Sequence, residues 1–174
     1  MYPGKYAAET PEKPAAVNAV TGEVLTYRRL NEDSIRLARY LRSVGLKRGD
    51  ALAINLENRL EFFVATWAAL RSGLYLVTVN QFLPSHDVNY IVADCGAKAL
   101  ITSEHLSEVA SELLPLIDKC THRLFIGNEL AGWDSYDAAL KGQSIKPLDD
   151  ERQGEHMPYS SGTTGKPKGI RREL

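Results

Sequence analysis

No apolar run in this 174-residue chain could cross a bilayer. The longest runs, such as residues 74–79, fall far short of the roughly 20 residues a spanning helix needs. Behind Met1-Tyr2-Pro3-Gly4-Lys5 there is no apolar stretch of signal-peptide length. Cysteine is scarce. Cys95 and Cys120 are the only two, and their number and spacing suggest neither a disulfide framework nor a metal site. Each sits beside an apolar pattern, so both read as buried or half-buried free thiols. His86, His105, His122 and His156 lie far apart, and none forms an H-x-x-x-H pair, so there is no zinc signature. An excess of one charge is missing too. Twenty-one Lys and Arg against 22 Asp and Glu leave a net charge of −1, with no global field to draw nucleic acid or an acidic membrane. The expectation is a reducing, cytoplasmic compartment, with no transmembrane segment and no nucleic-acid partner.

What the chain does have is an ordinary globular composition, 44% hydrophobic and 25% charged, at a length that supports one domain with a real core. Residues 15–20 and 24–26 read as two short strands around Thr21-Gly22-Glu23. Thr26 then caps a helix whose apolar stripe is Leu30, Leu37, Ala38 and Leu41, and Gly45 closes it. Arg28, Arg29, Arg36, Arg39 and Arg42 fall mostly off that stripe and read as a solvated face. Residues 51–55 form a short apolar strand. Residues 60–72 form a helix apolar on most sides, which should be buried, with Trp67 as core. Residues 74–79 return as a strand. Ser85 caps a helix to about Asp94, residues 98–102 are the next strand, Ser103 caps a helix to about Asp118, and residues 122–126 are another strand. Strands alternating with helices predict an α/β fold, a predominantly parallel sheet with flanking helices and right-handed crossovers.

The texture changes at Gly127. Three regions follow: an α/β core over 1–126, a surface link over 127–154 with one short helix near 135–140, and a hairpin over 155–174. That hairpin carries Ser160-Ser161-Gly162-Thr163-Thr164-Gly165-Lys166-Pro167-Lys168-Gly169. Glycines let a turn adopt positive φ and let backbone N–H groups face an anion. Hydroxyls add donors and lysines add charge, which together suit a polyphosphate. A Walker A loop is excluded, because Gly165-Lys166 is followed by Pro167 and the residue five before Gly165 is Ser160. A Ser/Thr/Gly stretch by itself reads as a polar turn joining two strands. The local basic cluster of Lys166, Lys168, Arg171 and Arg172 suits phosphate, and equally a solvated strand end.

The ordered string of residues 160–169 resembles the phosphate-binding signature of the adenylate-forming superfamily: acyl- and aryl-CoA synthetases, peptide-synthetase adenylation domains and luciferases. The likeness runs through the chain. Thr26-Tyr27-Arg28-Arg29-Leu30 is similar to the family's T-Y-x-x-L, Gly45 to Asp50 to its G-V-x-x-G-D turn, and Asn58 through Asn80 to its N…A…A-G…P-x-N segment, with Thr78 where the family often has proline.

The resemblance implies the N-terminal part of the large domain of an adenylate-forming enzyme, an acid-thiol ligase acting through acyl-AMP. The acid is expected to be a fatty acid. The alternatives are a carrier-protein-loading adenylation domain or acyl-AMP ligase, or a non-catalytic truncated module. ATP with Mg2+, a carboxylic acid and CoA are the implied ligands of the parent enzyme, and a homodimer is one assembly open to it. The implied phosphate-binding residues are Ser160, Ser161, Gly162, Thr163, Thr164, Gly165, Lys166 and Lys168. No catalytic residue and no metal ligand maps to this chain. The family's adenine-binding strand, magnesium-proximal acid, ribose-binding aspartate and catalytic lysine all lie beyond its signature loop. The chain alone is therefore expected to be inactive and to hold no cofactor tightly. With no downstream strand, residues 169–174 are expected to be untied and the segment 160–168 mobile.

Overall fold

The computed structural model describes residues 3–160 and 166–174. A short helix α1 (Gly4–Glu9), which the sequence pattern does not announce, precedes an antiparallel hairpin of β1 (Pro14–Val17) and β2 (Val24–Thr26). Helix α2 (Tyr27–Ser43) begins as expected, with the Thr26 hydroxyl accepting from the Arg29 N–H. It ends in a Schellman closure: Gly45 takes φ 94°, its N–H donates to Arg42 O, and the Leu46 N–H donates to Leu41 O. A left-handed residue there releases the last helical carbonyls without strain only if it is glycine.

The main sheet is formed by β3 (Ala51–Asn55), β4 (Tyr75–Val79), β5 (Ala97–Ser103), β6 (His122–Ile126), β7 (Asp134–Ser135) and β8 (Glu155–His156). The spatial order is β7-β6-β5-β3-β4-β8, and all five pairings are parallel. The α/β expectation holds. Central strand β3 is buried along its whole length, as a strand covered on both faces must be. Both edges are strands of two residues, too short to template pairing with another chain.

Helices cover both faces. Helix α2, helix α3 (Glu61–Arg71) and helix α6 (Tyr136–Leu140) share one core with Leu52, Ile54, Leu76, Ile101 and Leu124. Helices α4 (Ser85–Asp94) and α5 (Ser107–Leu113) share the other with Ala53, Val77, Leu100 and Phe125. Alternate residues of each strand thus point into opposite cores. Cys95 and Cys120 are free and buried in the second core.

Three helix expectations need correction. Pro84, not Ser85, takes the N-cap position of α4, while the Ser85 hydroxyl donates to Glu112 at 2.6 Å. Ser103 takes the N-cap position of a 3-10 turn and makes no side-chain capping bond. Its hydroxyl donates to Glu57, and that turn (Glu104–Leu106) leads into α5, which ends at Leu113. Helix α3 does not bury all of its apolar side chains either. Phe63 is 45% exposed and Trp67 is half-buried at the edge of the first core.

The buried cation of α3 escapes a hydrophobicity reading. Arg71 is 2% exposed. It donates from Nη2 to Asn31 Oδ1 at 2.9 Å and lies 3.4 Å from Glu151. The Arg152 and Gly154 N–H groups donate to Arg71 O and Leu70 O. Residues 151–154 are thereby docked on the turn between α3 and β4, which delivers β8 to the sheet edge.

Candidate phosphate-binding ribbon

After β8 the Met157 N–H still donates to Leu76 O at 2.9 Å. Pro158 has no N–H to continue the ladder, and the chain leaves the sheet as a separate two-stranded ribbon of β9 (Tyr159–Ser160) and β10 (Lys168–Gly169). The pairing is antiparallel, Ser160 opposite Lys168 and Tyr159 opposite Gly169. The Ile170 N–H extends it by donating to Pro158 O. Gly169 sits where side chains crowd the ribbon. A Cβ there would lie 2.5 Å from Met157 Cε and 2.9 Å from the Tyr159 ring.

The ribbon lies along α4. The Tyr159 hydroxyl donates to Asp94 Oδ2 at 2.6 Å. Burial, then this bond to a carboxylate, pushes the Tyr159 phenol far above its ordinary value and fixes it as a donor. One turn earlier on α4, the Tyr90 hydroxyl donates to Pro167 O at 3.1 Å, and Lys166 Nζ sits 5.2 Å from the Tyr90 ring centroid. Helix α4 follows β4 and runs back to the start of β5, so the step from Asp94 to Tyr90 leads toward the carboxyl ends of the strands. Open parallel sheets bind ligands at that end.

Of the sequence-predicted residues, the structure brings together Ser160, Lys166 and Lys168 on this ribbon, all three exposed. Ser161, Gly162, Thr163, Thr164 and Gly165 lie outside the described residues. Among the described residues neither lysine ammonium has a carboxylate within ion-pair reach. Sequence reasoning missed Tyr90, Asp94 and Tyr159, which hold the ribbon. Their only signal is a pair of tyrosines and an aspartate with no fixed spacing to the motif.

The expectation of an untied tail is overturned. The Arg171 guanidinium stacks 4.4 Å from the Tyr75 ring centroid, and its Nη2 donates to Gly49 O at 2.8 Å. The Tyr75 hydroxyl donates to Arg172 O, and Leu174 packs on the second core. Arg171 therefore works at the amino ends of β3 and β4, on the side away from Tyr90 and Lys166. No group of three or more His, Cys, Asp or Glu side chains among the described residues could hold a metal ion.

Comparison with known proteins bears on the family and the fold. The sequence profile of the family described as "AMP-binding enzyme" matches residues 5–173. Bacitracin synthase 2 of Bacillus licheniformis is 32% identical over 167 residues, 94% of this chain and 6% of that protein. 4-Coumarate–CoA ligase 1 of Oryza sativa subsp. japonica is 32% identical over 178 residues, 93% of this chain and 30% of that enzyme. The chain thus spans less than a third of the length of either relative. The crystal structure of an anthranilate CoA ligase in complex with anthranoyl-AMP superposes with a TM-score of 0.84, at 21% identity, over 97% of this chain and 32% of that one. At that identity the likeness concerns the fold.

Proposed function

The chain belongs to the AMP-binding enzymes, and from that premise we propose that it supplies the phosphate-gripping ribbon to an adenylate-forming ligase that activates a carboxylate. In the first half-reaction a carboxylate oxygen attacks the α-phosphorus of ATP. The bond from that phosphorus to the bridging oxygen breaks, pyrophosphate leaves with the electron pair, and acyl-AMP remains. In the second, a thiolate attacks the acyl carbon and AMP departs. The observation that carries the reading is the ribbon itself. Ser160 and Lys168 are paired across it, Lys166 is seated beside them, and the hydroxyl-rich segment runs between (residues 161–165). Donors and ammonium groups at that position would stabilise the charge that develops on the departing pyrophosphate.

The domain division proposed with it is the α/β core (1–126), the link (127–154) and the ribbon segment (155–174). The fatty-acid preference has no support among the relatives named. Their names favour two other readings: an aryl-CoA ligase, through the coumarate enzyme, and a carrier-protein-loading adenylation domain, through the bacitracin synthase match over 94% of the chain. The acceptor is then CoA or a carrier-bound thiol. We place the protein in the cytoplasm, a reading supported by its two free thiols. No helix among the described residues is long and apolar enough to cross a membrane.

The test is a titration of the 174-residue chain with ATP into the millimolar range, where weak binding registers, followed by amide chemical shifts. Perturbations confined to Ser160, Lys166, Lys168 and the segment between them are expected. A titration in which these amides stay still would make the ribbon a connector and end the reading.

A further inference from the structure

The contacts between α4 and the ribbon do more than pack apolar surface, because each joins a polar group of α4 to a strand or loop end of the motif. Tyr90 makes two of them on consecutive residues. Its hydroxyl donates to Pro167 O at 3.1 Å, and its ring lies beneath Lys166 Nζ at 5.2 Å. An ammonium on a ring face keeps N–H groups directed away from the ring, free for a phosphate oxygen. A lysine held this way gives up less rotamer freedom when an anion arrives. Pro167 completes the seat, since its fixed φ transmits the position of its carbonyl to the Lys166–Pro167 bond. Asp94 anchors the other strand through Tyr159.

We propose that Tyr90 is a positioning residue for anion recognition: its ring presents the Lys166 ammonium to polyphosphate, and its hydroxyl fixes the loop exit at Pro167. The proposal deepens the functional reading above and rests on it. It assigns to α4, an element outside the motif, part of the affinity of the loop.

The experiment is a double-mutant cycle on the 174-residue chain, with inorganic tripolyphosphate as the probe. Tyr90→Phe keeps the ring and loses the Pro167 bond, while Tyr90→Leu loses both. Tyr90→Leu should weaken tripolyphosphate binding about two- to five-fold beyond Tyr90→Phe, the range of an exposed cation–π contact. In a Lys166→Met background the difference between Phe and Leu should vanish. A merely structural role of Tyr90 would leave that difference unchanged and overturns the proposal. A second readout is independent of binding: the Lys166 Cε protons should be ring-current shifted in the wild type and in Tyr90→Phe, and not in Tyr90→Leu. If that shift is absent from the wild type the proposal fails, even with polyphosphate bound. If the shift is present and the wild type binds neither tripolyphosphate nor ATP, the functional reading fails and takes the positioning role with it.

Discussion

At the scale of single residues, burial decides which chemical groups are available. Cys95 and Cys120 are 6% and 2% exposed. Burial is the first cause that pushes their thiols up from 9.0, to about 11 and about 12. A raised native pKa means that the folded chain holds its protons where the unfolded chain releases them. The stability this gives is intact below the unfolded value and is lost as pH rises toward the folded one. Each thiol titrating only in the unfolded chain costs about 1.4 kcal/mol per pH unit. Urea midpoints should therefore fall from about pH 9 upward. In a Cys95→Ala/Cys120→Ala variant, scaled to its own value at neutral pH, the fall should be shallower. Parallel curves would mean that the thiols do not drive it; Tyr136 and Tyr159, also raised by burial, would remain as the source. The buried-thiol reading was available from sequence because both cysteines sit in apolar patterns. The arginines of α2 were not read as well. Arg39 donates from Nε to Lys146 O and from Nη2 to Pro147 O, and Arg42 pairs with Asp150 at 2.7 Å. Composition places them on a solvated face and says nothing of the segment that folds over it.

At the scale of elements, periodicity carried the strand–helix alternation, and local competition for side chains defeated two of the three expected caps. Ser85 and Ser103 look like caps in sequence. Glu112 and Glu57 take their hydroxyls in the fold, and those partners are 27 and 46 residues away. The edge strand β8 lies inside the segment expected as a hairpin (155–174), but its parallel pairing with β4 and its clamp were not legible. Gly154 passes so close to the α3–β4 turn that a Cβ would lie 2.3 Å from Leu74 O and 3.0 Å from Ala69 O. Its N–H donates to Leu70 O at 2.7 Å. Backbone atoms cannot move aside as a side-chain tip can. Gly154→Ala should therefore lift residues 151–156 from β4 and destabilise the chain by about 1–3 kcal/mol. Gly22, with φ 74° and open space around its Cβ position, is the control; alanine there should cost only the left-handed backbone penalty of roughly 1 kcal/mol. Thermal unfolding of the two variants checks the order. An equal loss in both would show that the approach at Gly154 is not what holds the edge.

At the scale of the whole molecule, the sheet supplies a scaffold and one ribbon, while the proposed reaction needs more surfaces than these. ATP must be held at its phosphates, ribose and adenine, and a carboxylate must be brought in line with the α-phosphorus. Proximity and orientation of that kind account for a large part of such rate enhancements. Among the described residues the motif contributes Ser160, Lys166 and Lys168, on the ribbon proposed to hold the pyrophosphate end. The sequence matches extend through nearly all of this chain and less than a third of each relative. The 174-residue chain incubated with ATP, a panel of aryl, fatty and amino acids, and CoA should release no pyrophosphate above the blank, even if ATP perturbs the ribbon amides. Binding without turnover would match a scaffold that grips the leaving group and does not position the attacking one. A burst of pyrophosphate stoichiometric with the protein would place the acyl and adenine sites within these residues, and the division of labour argued from the ribbon would be wrong.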